Sequence, residues 1–177
     1  ELKEILVSIE ESGLRCKKIV QNMLSFSRAS TKEFEQVSLN DIIENTVSLI
    51  ENEYKLQGAS IEKKLASQLP LILADRQLLQ QMLLDLLNNS LWAIKKKGPL
   101  GTITLTTDYD AENKMVVLII SDTGIGIPKE NLERIFEPFF STKEVGEGTG
   151  LGLAIVYDII KRHNGTVEVE SQVNVGT

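Results

Sequence analysis

Two glycine-rich stretches, Asp122-Thr-Gly-Ile-Gly-Ile127 and Gly146-Glu-Gly-Thr-Gly-Leu-Gly-Leu153, carry the chemistry this chain can do. The first follows apolar Val116 to Ile120; the second opens a helix-like run from Leu151 to Ile160. Glycines let backbone N–H groups approach phosphates and take turns that other residues resist. Gly148, Gly150 and Gly152 lead into the helix, whose first turn would point free N–H groups and its positive dipole end at an anion. A single Gly-x-Gly is more often a turn than a ligand site, and the sequence has neither a Gly-Lys-Ser/Thr loop nor a ribose-binding acid after a strand-turn-helix. The pattern therefore points to a phosphate site of another kind.

A second group lies earlier. Asp85 and Asn89 are four residues apart in a helical pattern, so both side chains leave one face a turn apart. They are either polar residues at the edge of an apolar stripe or oxygens aimed at a hard cation such as Mg²⁺, which takes oxygen ligands together with waters and phosphates. Asp122 ends a strand, where its carboxylate can accept a hydrogen bond from an exocyclic amine and so distinguish adenine from guanine. Lys143 stands among the small and polar residues 141–148, a composition suited to a mobile flap over phosphates.

These groups need elements to position them. Phe34 to Val37 reads as a short strand, and Ser38-Leu-Asn-Asp41 starts a helix in the manner of a capping box. Ile42, Ile43, Val47, Leu49 and Ile50 form its apolar positions, and Gly58 is its natural stop. Ile61 to Leu65 alternates like an edge strand, and Leu71 to Ala74 is a short apolar strand. Asp75 then caps a long helix with Leu78, Leu79, Met82, Leu83, Leu86, Leu87, Leu91 and Ile94 as its buried stripe and Lys95-Lys-Lys-Gly98 at its end. Gly101 to Thr107 and Met115 to Ser121 read as a hairpin turning near Asp110 to Asn113. Pro128 to Glu133 is a helical turn, Ile135 to Phe140 an aromatic knot read as packing, and Thr166 to Glu170 a strand. Residues 1–30 carry an a/d seam, Leu2, Ile5, Ile9, Ser12, Cys16, Ile19, Met23 and Phe26, widened by Leu6 and Val20. That helix packs either on its own domain or in a hairpin that dimerises, with residues 31–36 as the hinge.

Composition sets outer limits. The 177 residues, 42% hydrophobic and 25% charged, suffice for one domain plus an attached element. A net charge of -6, with both signs mixed along the chain, argues against nucleic acid as the main partner. The single cysteine, Cys16, excludes an intrachain disulfide and fits a reducing, cytoplasmic compartment. No apolar run approaches the roughly 20 residues that span a bilayer, so no membrane contact is expected of this chain. The helix-like start at Glu1, with no initiator methionine, reads as a fragment of a longer protein, whose membrane anchoring is open.

Taken together, these stretches resemble a known family. Leu79 to Ala93 is similar to the N box of sensor histidine kinases, Asp122 to Gly126 to their G1 box, Glu137-Pro-Phe-Phe140 to their F box, and Gly148 to Leu153 to their G2 box. The resemblance covers roughly residues 36–177 in the family's order. It implies the Bergerat fold, a two-layer α/β sandwich with a mixed sheet, here preceded by a long N-terminal helix, in which ATP lies between the N-box helix and a lid. On that resemblance Asn89 ligates Mg²⁺, Asp122 binds the adenine amino group, and Gly124, Gly126, Ile127, Lys143, Gly148, Thr149, Gly150, Leu151, Gly152 and Leu153 line the nucleotide. Asp85, Asn89 and Lys143 are the expected catalytic residues. Residues 1–30 look like the second helix of the dimerisation and phosphotransfer hairpin, and a response-regulator receiver domain is the implied partner.

Two departures qualify the match. The family commonly has Asn where this chain has Asp85, whereas related ATPases such as gyrase B and MutL carry a water-activating Glu. Asp85 is read as part of the Mg²⁺ shell or as a polarising group. The phosphoacceptor histidine sits on the first hairpin helix, which this chain lacks, and the single histidine, His163, lies at a helix end, where carbonyl dipoles or solvent are its expected partners. The family also usually continues past Thr177 into one more strand. The expected activity is phosphoryl transfer from MgATP to a histidine supplied elsewhere. The alternatives are an ATPase using Asp85 and a non-catalytic dimerisation or docking module.

Overall fold

The computed structural model describes residue 13, residues 34–144 and residues 148–177. The helix expected over residues 1–30 lies outside the described residues except for Gly13, which is helical and exposed. Glu35 and Gln36, placed in the expected hinge, belong to strand β1 (Glu35–Val37); residues 31–33 lie outside the described residues.

Helix α1 (Leu39–Leu56) starts at Ser38, whose side chain accepts the Asp41 N–H at 3.2 Å. Ile42, Ile43, Thr46, Val47 and Tyr54 face inward. Leu49, expected on that stripe, is 75% exposed. It follows Val47 by two residues, about 200° around the helix, so both cannot be buried against one layer. Thr46 takes an inward place because its hydroxyl donates to the Ile42 carbonyl at 2.7 Å and leaves no polar group unpaired. The Tyr54 hydroxyl donates to Asn88 Oδ1 at 3.1 Å, and burial, reinforced by Glu53, pushes its pKa up to about 12.

Strand β2 (Ala59–Lys64) follows the turn at Gly58, where φ is +87° and an added Cβ would meet the Pro99 carbonyl oxygen. Strand β3 (Ile72–Ala74) pairs antiparallel with β1. Buried Asp75 caps helix α2 (Arg76–Lys97), its Oδ1 accepting the N–H groups of Gln77 at 2.9 Å and Leu78 at 3.2 Å. Leu79, Met82, Leu83, Leu87, Leu91 and Ile94 are buried, as their spacing predicts, and Ser90 is buried among them. Strands β4 (Gly101–Asp110) and β5 (Met115–Asp122) form the expected hairpin, with Asp110 Oδ1 accepting the Glu112 and Asn113 N–H groups at its turn.

Strand β4 lies between β2, to which it runs parallel, and β5, to which it runs antiparallel, so the sheet is mixed as expected. Helices α1 and α2 cover it through Ile43, Val47, Leu83 and Leu87 packed on Ile103 and Leu105. Each fully buried aliphatic side chain contributes about 1.5–3 kcal/mol. After a short helix α3 (Lys129–Leu132), helix α4 (Gly152–Arg162) packs beside α2, where Met82, Ile155 and Ile159 share a second core with Val37 and Ala74. That second core fixes the start of α4 against the middle of α2.

Three further expectations meet the structure in this region. His163 is held as expected at the end of α4: Nδ1 lies 2.7 Å from the Ile159 carbonyl, and Nε2 accepts the Asp75 N–H at 3.0 Å. Thr166 to Glu170 is not a strand. Its exposure still alternates, but its backbone makes no ladder among the described residues, and the chain instead closes back on β5 with the Thr177 carbonyl accepting the Asp122 N–H at 2.8 Å. The aromatic knot is only partly packing. Ile135 is buried and Phe136 meets Tyr157 at 5.5 Å, but Phe139, at φ +69°, is turned outward and 65% exposed. Its N–H donates to the Gly150 carbonyl at 2.9 Å, and the backbone turn that allows this points the ring away from the core. Among the described residues, no helix is long and apolar enough to cross a membrane.

Candidate nucleotide site

Asn89 and Ser90, consecutive on helix α2 and about 100° apart around its axis, meet different parts of the chain. Asn89 Oδ1 accepts from Lys143 Nζ at 2.9 Å. Its Nδ2 lies 4.0 Å from where a Cβ on Gly152 would stand, so Asn89 faces the N-terminal end of α4. Asp85 is one turn earlier and half-buried. Trp92 is one turn later, with the Lys143 ammonium 4.8 Å and the Lys96 ammonium 5.6 Å from its ring centre. Ser90 turns instead to Asp122 and hydrogen-bonds its carboxylate.

Asp122 ends β5 half-buried. Burial pushes its carboxyl above the ordinary carboxylate range, while hydrogen bonds from the Gly124 N–H (2.8 Å), Ser90 and the Thr177 backbone, and the charge of Lys97, pull the other way. A carboxylate held in this partly desolvated position, with its rotamer fixed by a donor two residues on, is a directed hydrogen-bond acceptor. Gly124 has no room for a side chain, because a Cβ would lie 2.5 Å from Ala93 Cβ. Gly126 has φ +70°, and a Cβ there would lie 2.2 Å from the Gln172 carbonyl oxygen. The Ile127 N–H donates to Ser171 Oγ at 2.7 Å. The loop therefore runs in close contact with both α2 and the C-terminal segment.

The second glycine stretch borders Asn89. A Cβ on Gly148 would lie 2.9 Å from both Lys143 Cδ and Ser141 Oγ. Thr149 Oγ1 accepts the Leu151 N–H at 3.3 Å, and Gly150 sits at φ +67° against Phe139. Leu151 is buried in the second core and Leu153 is half-buried, so the leucines anchor this turn. Leu151, at the N-cap of α4, makes no side-chain cap hydrogen bond among the described residues, which suits the first-turn N–H groups to another acceptor.

The candidate residues thus form two ends joined by α2: Asn89, Lys143, Gly148 and Gly152 at one, and Asp122, Gly124 and Gly126 at the other. Sequence reasoning missed Ser90, Trp92 and Lys97. A serine inside an apolar stripe beside Asn89 was the available signal for the first; Trp92 was read only within the Leu79–Ala93 stretch, and Lys97 only within the lysine run at the helix end. Two open cavities, of ≈ 460 Å³ beside Lys55 and Leu100 and of ≈ 360 Å³ beside Gln57 and Trp92, do not contain Asn89 or Asp122. Chemistry, not cavity size, distinguishes the site. Among the described residues, no group of three or more His, Cys, Asp or Glu could hold a metal ion by itself.

A mixed sheet covered by α1 and α2, with α4 packed beside α2 and an Asn on α2 facing its glycine-led start, makes a two-layer α/β sandwich. Residues 74–177 match the model of the family described as histidine kinase-, DNA gyrase B-, and HSP90-like ATPase, and the chain belongs to that family. Among curated relatives, the sensor kinase CckA of Brucella abortus is 37% identical over 187 residues, covering 97% of this chain and 19% of CckA. The crystal structure of full-length ShkA in complex with AMPPNP superposes with a TM-score of 0.81 at 28% identity, covering 98% of this chain and 36% of ShkA. The histidine kinase ThkA, in complex with the response regulator protein TrrA, superposes at 0.72 and 28% identity, covering 93% of this chain and 46% of that one. The chain therefore spans less than half the length of each of these three proteins.

Proposed function

We propose that residues 37–177 are the ATP-binding catalytic domain of a sensor histidine kinase and that residues 1–30 are the second helix of its dimerisation hairpin. The observation that carries this reading is the pair Asn89 and Ser90, through which one helix serves both a phosphate-type helix start and a strand-end carboxylate. Family membership and the AMPPNP complex of ShkA support ATP as the ligand. Asp122 accepts the adenine amino group, with Gly124, Gly126 and Ile127 letting backbone approach the base. Gly148 to Leu153 and the first turn of α4 donate N–H groups to the phosphates, and Lys143 offsets charge on the γ-phosphate.

The donor set fits Mg²⁺ in kind. Asn89 Oδ1 already faces a cation, the Lys143 ammonium, and Asp85 adds a carboxylate one turn away. Mg²⁺ usually takes one or two side-chain oxygens and fills its octahedron with phosphate and water. When bound, it neutralises charge on the phosphate oxygens. In the reaction, an imidazole nitrogen from the first hairpin helix attacks the γ-phosphorus while the bond to the β–γ bridging oxygen breaks, and ADP leaves. The protein contributes positioning and fixed charge. In the full protein, the phosphoryl group passes on to a receiver-domain aspartate, a reading that the ThkA–TrrA complex supports.

Calorimetric titration of a non-hydrolysable ATP analogue with Mg²⁺ tests the reading. Micromolar binding is expected, with adenine preference lost in Asp122→Asn and Mg²⁺ dependence lost in Asn89→Ala. A folded chain that binds no nucleotide sinks the proposal and favours a docking module built on residues 1–30. The carboxylate at Asp85 favours one second reading, an ATPase in which it activates water. Steady phosphate release from ATP that Asp85→Asn abolishes would establish that reading instead.

A further inference from the structure

Lys97, the last residue of α2, reaches across the end of the site. Its ammonium donates to the Thr123 carbonyl at 2.7 Å and to the Val175 carbonyl at 3.1 Å. The first belongs to the loop that begins at Asp122, and the second to the C-terminal segment. These two pieces of chain are pressed together: the Thr177 carbonyl accepts the Asp122 N–H at 2.8 Å, and the Ile125 carbonyl accepts the Asn174 N–H at 2.7 Å. A Cβ on Gly176 would lie 1.8 Å from the Asp122 carbonyl oxygen, so the segment lies directly on the residue that would read the base. On its other side, the loop is tied to α2 by the Ile125 N–H to Ala93 carbonyl bond at 3.2 Å and to β4 by the Thr123 N–H to Thr102 carbonyl bond at 3.1 Å.

We propose that Lys97 is a positioning residue for nucleotide recognition: its ammonium pins the Asp122–Ile127 loop and the 171–177 segment to the end of α2, and so fixes the carboxylate that receives the adenine amino group. The inference rests on the reading of Asp122 given above. A lysine suits the task because its charge also complements the negative end of α2, and its donors spread over two carbonyls on different strands of chain. The groups that face the Asp122 carboxylate are Ser90 and Lys97 from α2, the Gly124 N–H from its own loop and the Thr177 backbone from the C-terminal segment; across the β4–β5 ladder its partner is apolar Ile103. Lys97 is the cation among them. Removing it takes away both a mechanical tie and the charge that favours the ionised carboxylate against burial.

The test uses the whole 177-residue chain as wild type, Lys97→Met and Lys97→Arg, with circular dichroism confirming that each is folded. In the nucleotide-free chain, the Asp122 carboxyl carbon is titrated by NMR. Lys97→Met is expected to titrate at higher pH than wild type and Lys97→Arg to return toward it. Calorimetry with the ATP analogue is expected to show about tenfold weaker binding in Lys97→Met and binding within about twofold of wild type in Lys97→Arg. Wild type that binds, with a Lys97→Met variant that matches it in both measurements, overturns the positioning role alone. Wild type that does not bind overturns the nucleotide reading and this inference with it. If Lys97→Met fails to fold, Lys97→Gln, which keeps a single donor group, replaces it with the same two readouts.

Discussion

Lys143 and Asn89, 54 residues apart in sequence, meet through a 2.9 Å hydrogen bond from the ammonium to the carboxamide oxygen. The same ammonium lies 4.8 Å from the Trp92 ring centre, so one cation ties Lys143, ahead of α4's glycine stretch, to two successive turns of α2. Lys143→Met removes that charge from the end of the site proposed to hold the phosphates. Binding of a triphosphate analogue is expected to weaken about tenfold, and binding of ADP to change by less than about twofold, by calorimetry.

The glycines divide into two kinds, and alanine substitution separates them. Gly126→Ala places a Cβ 2.2 Å from the Gln172 carbonyl oxygen at a φ of +70°. It should lose about 1–3 kcal/mol from the backbone conformation alone, read as a lower urea midpoint. Gly152→Ala meets nothing closer than Asn89 Nδ2 at 4.0 Å and stands in the first turn of α4. Its stability should be unchanged or rise by up to about 1 kcal/mol. Any loss of nucleotide affinity in Gly152→Ala would then report close approach of a ligand.

His163 should prove structural. Its Nε2 lone pair is occupied by the Asp75 N–H, its Nδ1 faces the Ile159 carbonyl, and its ring stacks on Phe34 at 4.7 Å. His163→Ala is expected to cost about 1–3 kcal/mol, mainly by stranding the Asp75 N–H at the start of α2. Incubation with ATP followed by mass spectrometry under alkaline conditions should find no phosphoryl group on the peptide that contains it.

The carboxyl of Asp122 gives stability a defined pH dependence. Burial holds it above its ordinary range in the folded chain, so the fold binds this proton more tightly than the unfolded chain does. Stability from this group is therefore fully present below the unfolded value, about 3.9, and is lost as pH rises through the folded one. Urea melts across that window should show wild type losing stability relative to Asp122→Asn as pH rises. Equal slopes for the two chains would contradict the assignment.

Much of this was legible because local chemistry announces itself. Ser38 and Asp75 are caps in sequence and in structure, and the Leu83 and Leu87 spacing predicts burial that the fold delivers. Thr166 to Glu170 was misread because alternation reports which side chains face inward, whereas a strand also needs a partner for its backbone. Leu49 was misread because hydrophobicity was counted without angle, and its place on the buried side is taken by Thr46 and Tyr54. Ser90 and Lys97 were not seen as site residues because their partners, Asp122 and the carbonyls of Thr123 and Val175, are distant in sequence. No local pattern encodes such a meeting.

The bond from the Phe139 N–H to the Gly150 carbonyl makes the stretch between them a cassette. Both ends meet at one point, so the Phe139 turn and the start of α4 are held beside each other directly, and a modest change in the length of chain between them disturbs their spacing little. Doubling a flexible loop adds only about 0.6 kcal/mol of closure cost. Evolution or an engineer can therefore exchange this insert for a longer or differently charged one while the clamp preserves the frame around it.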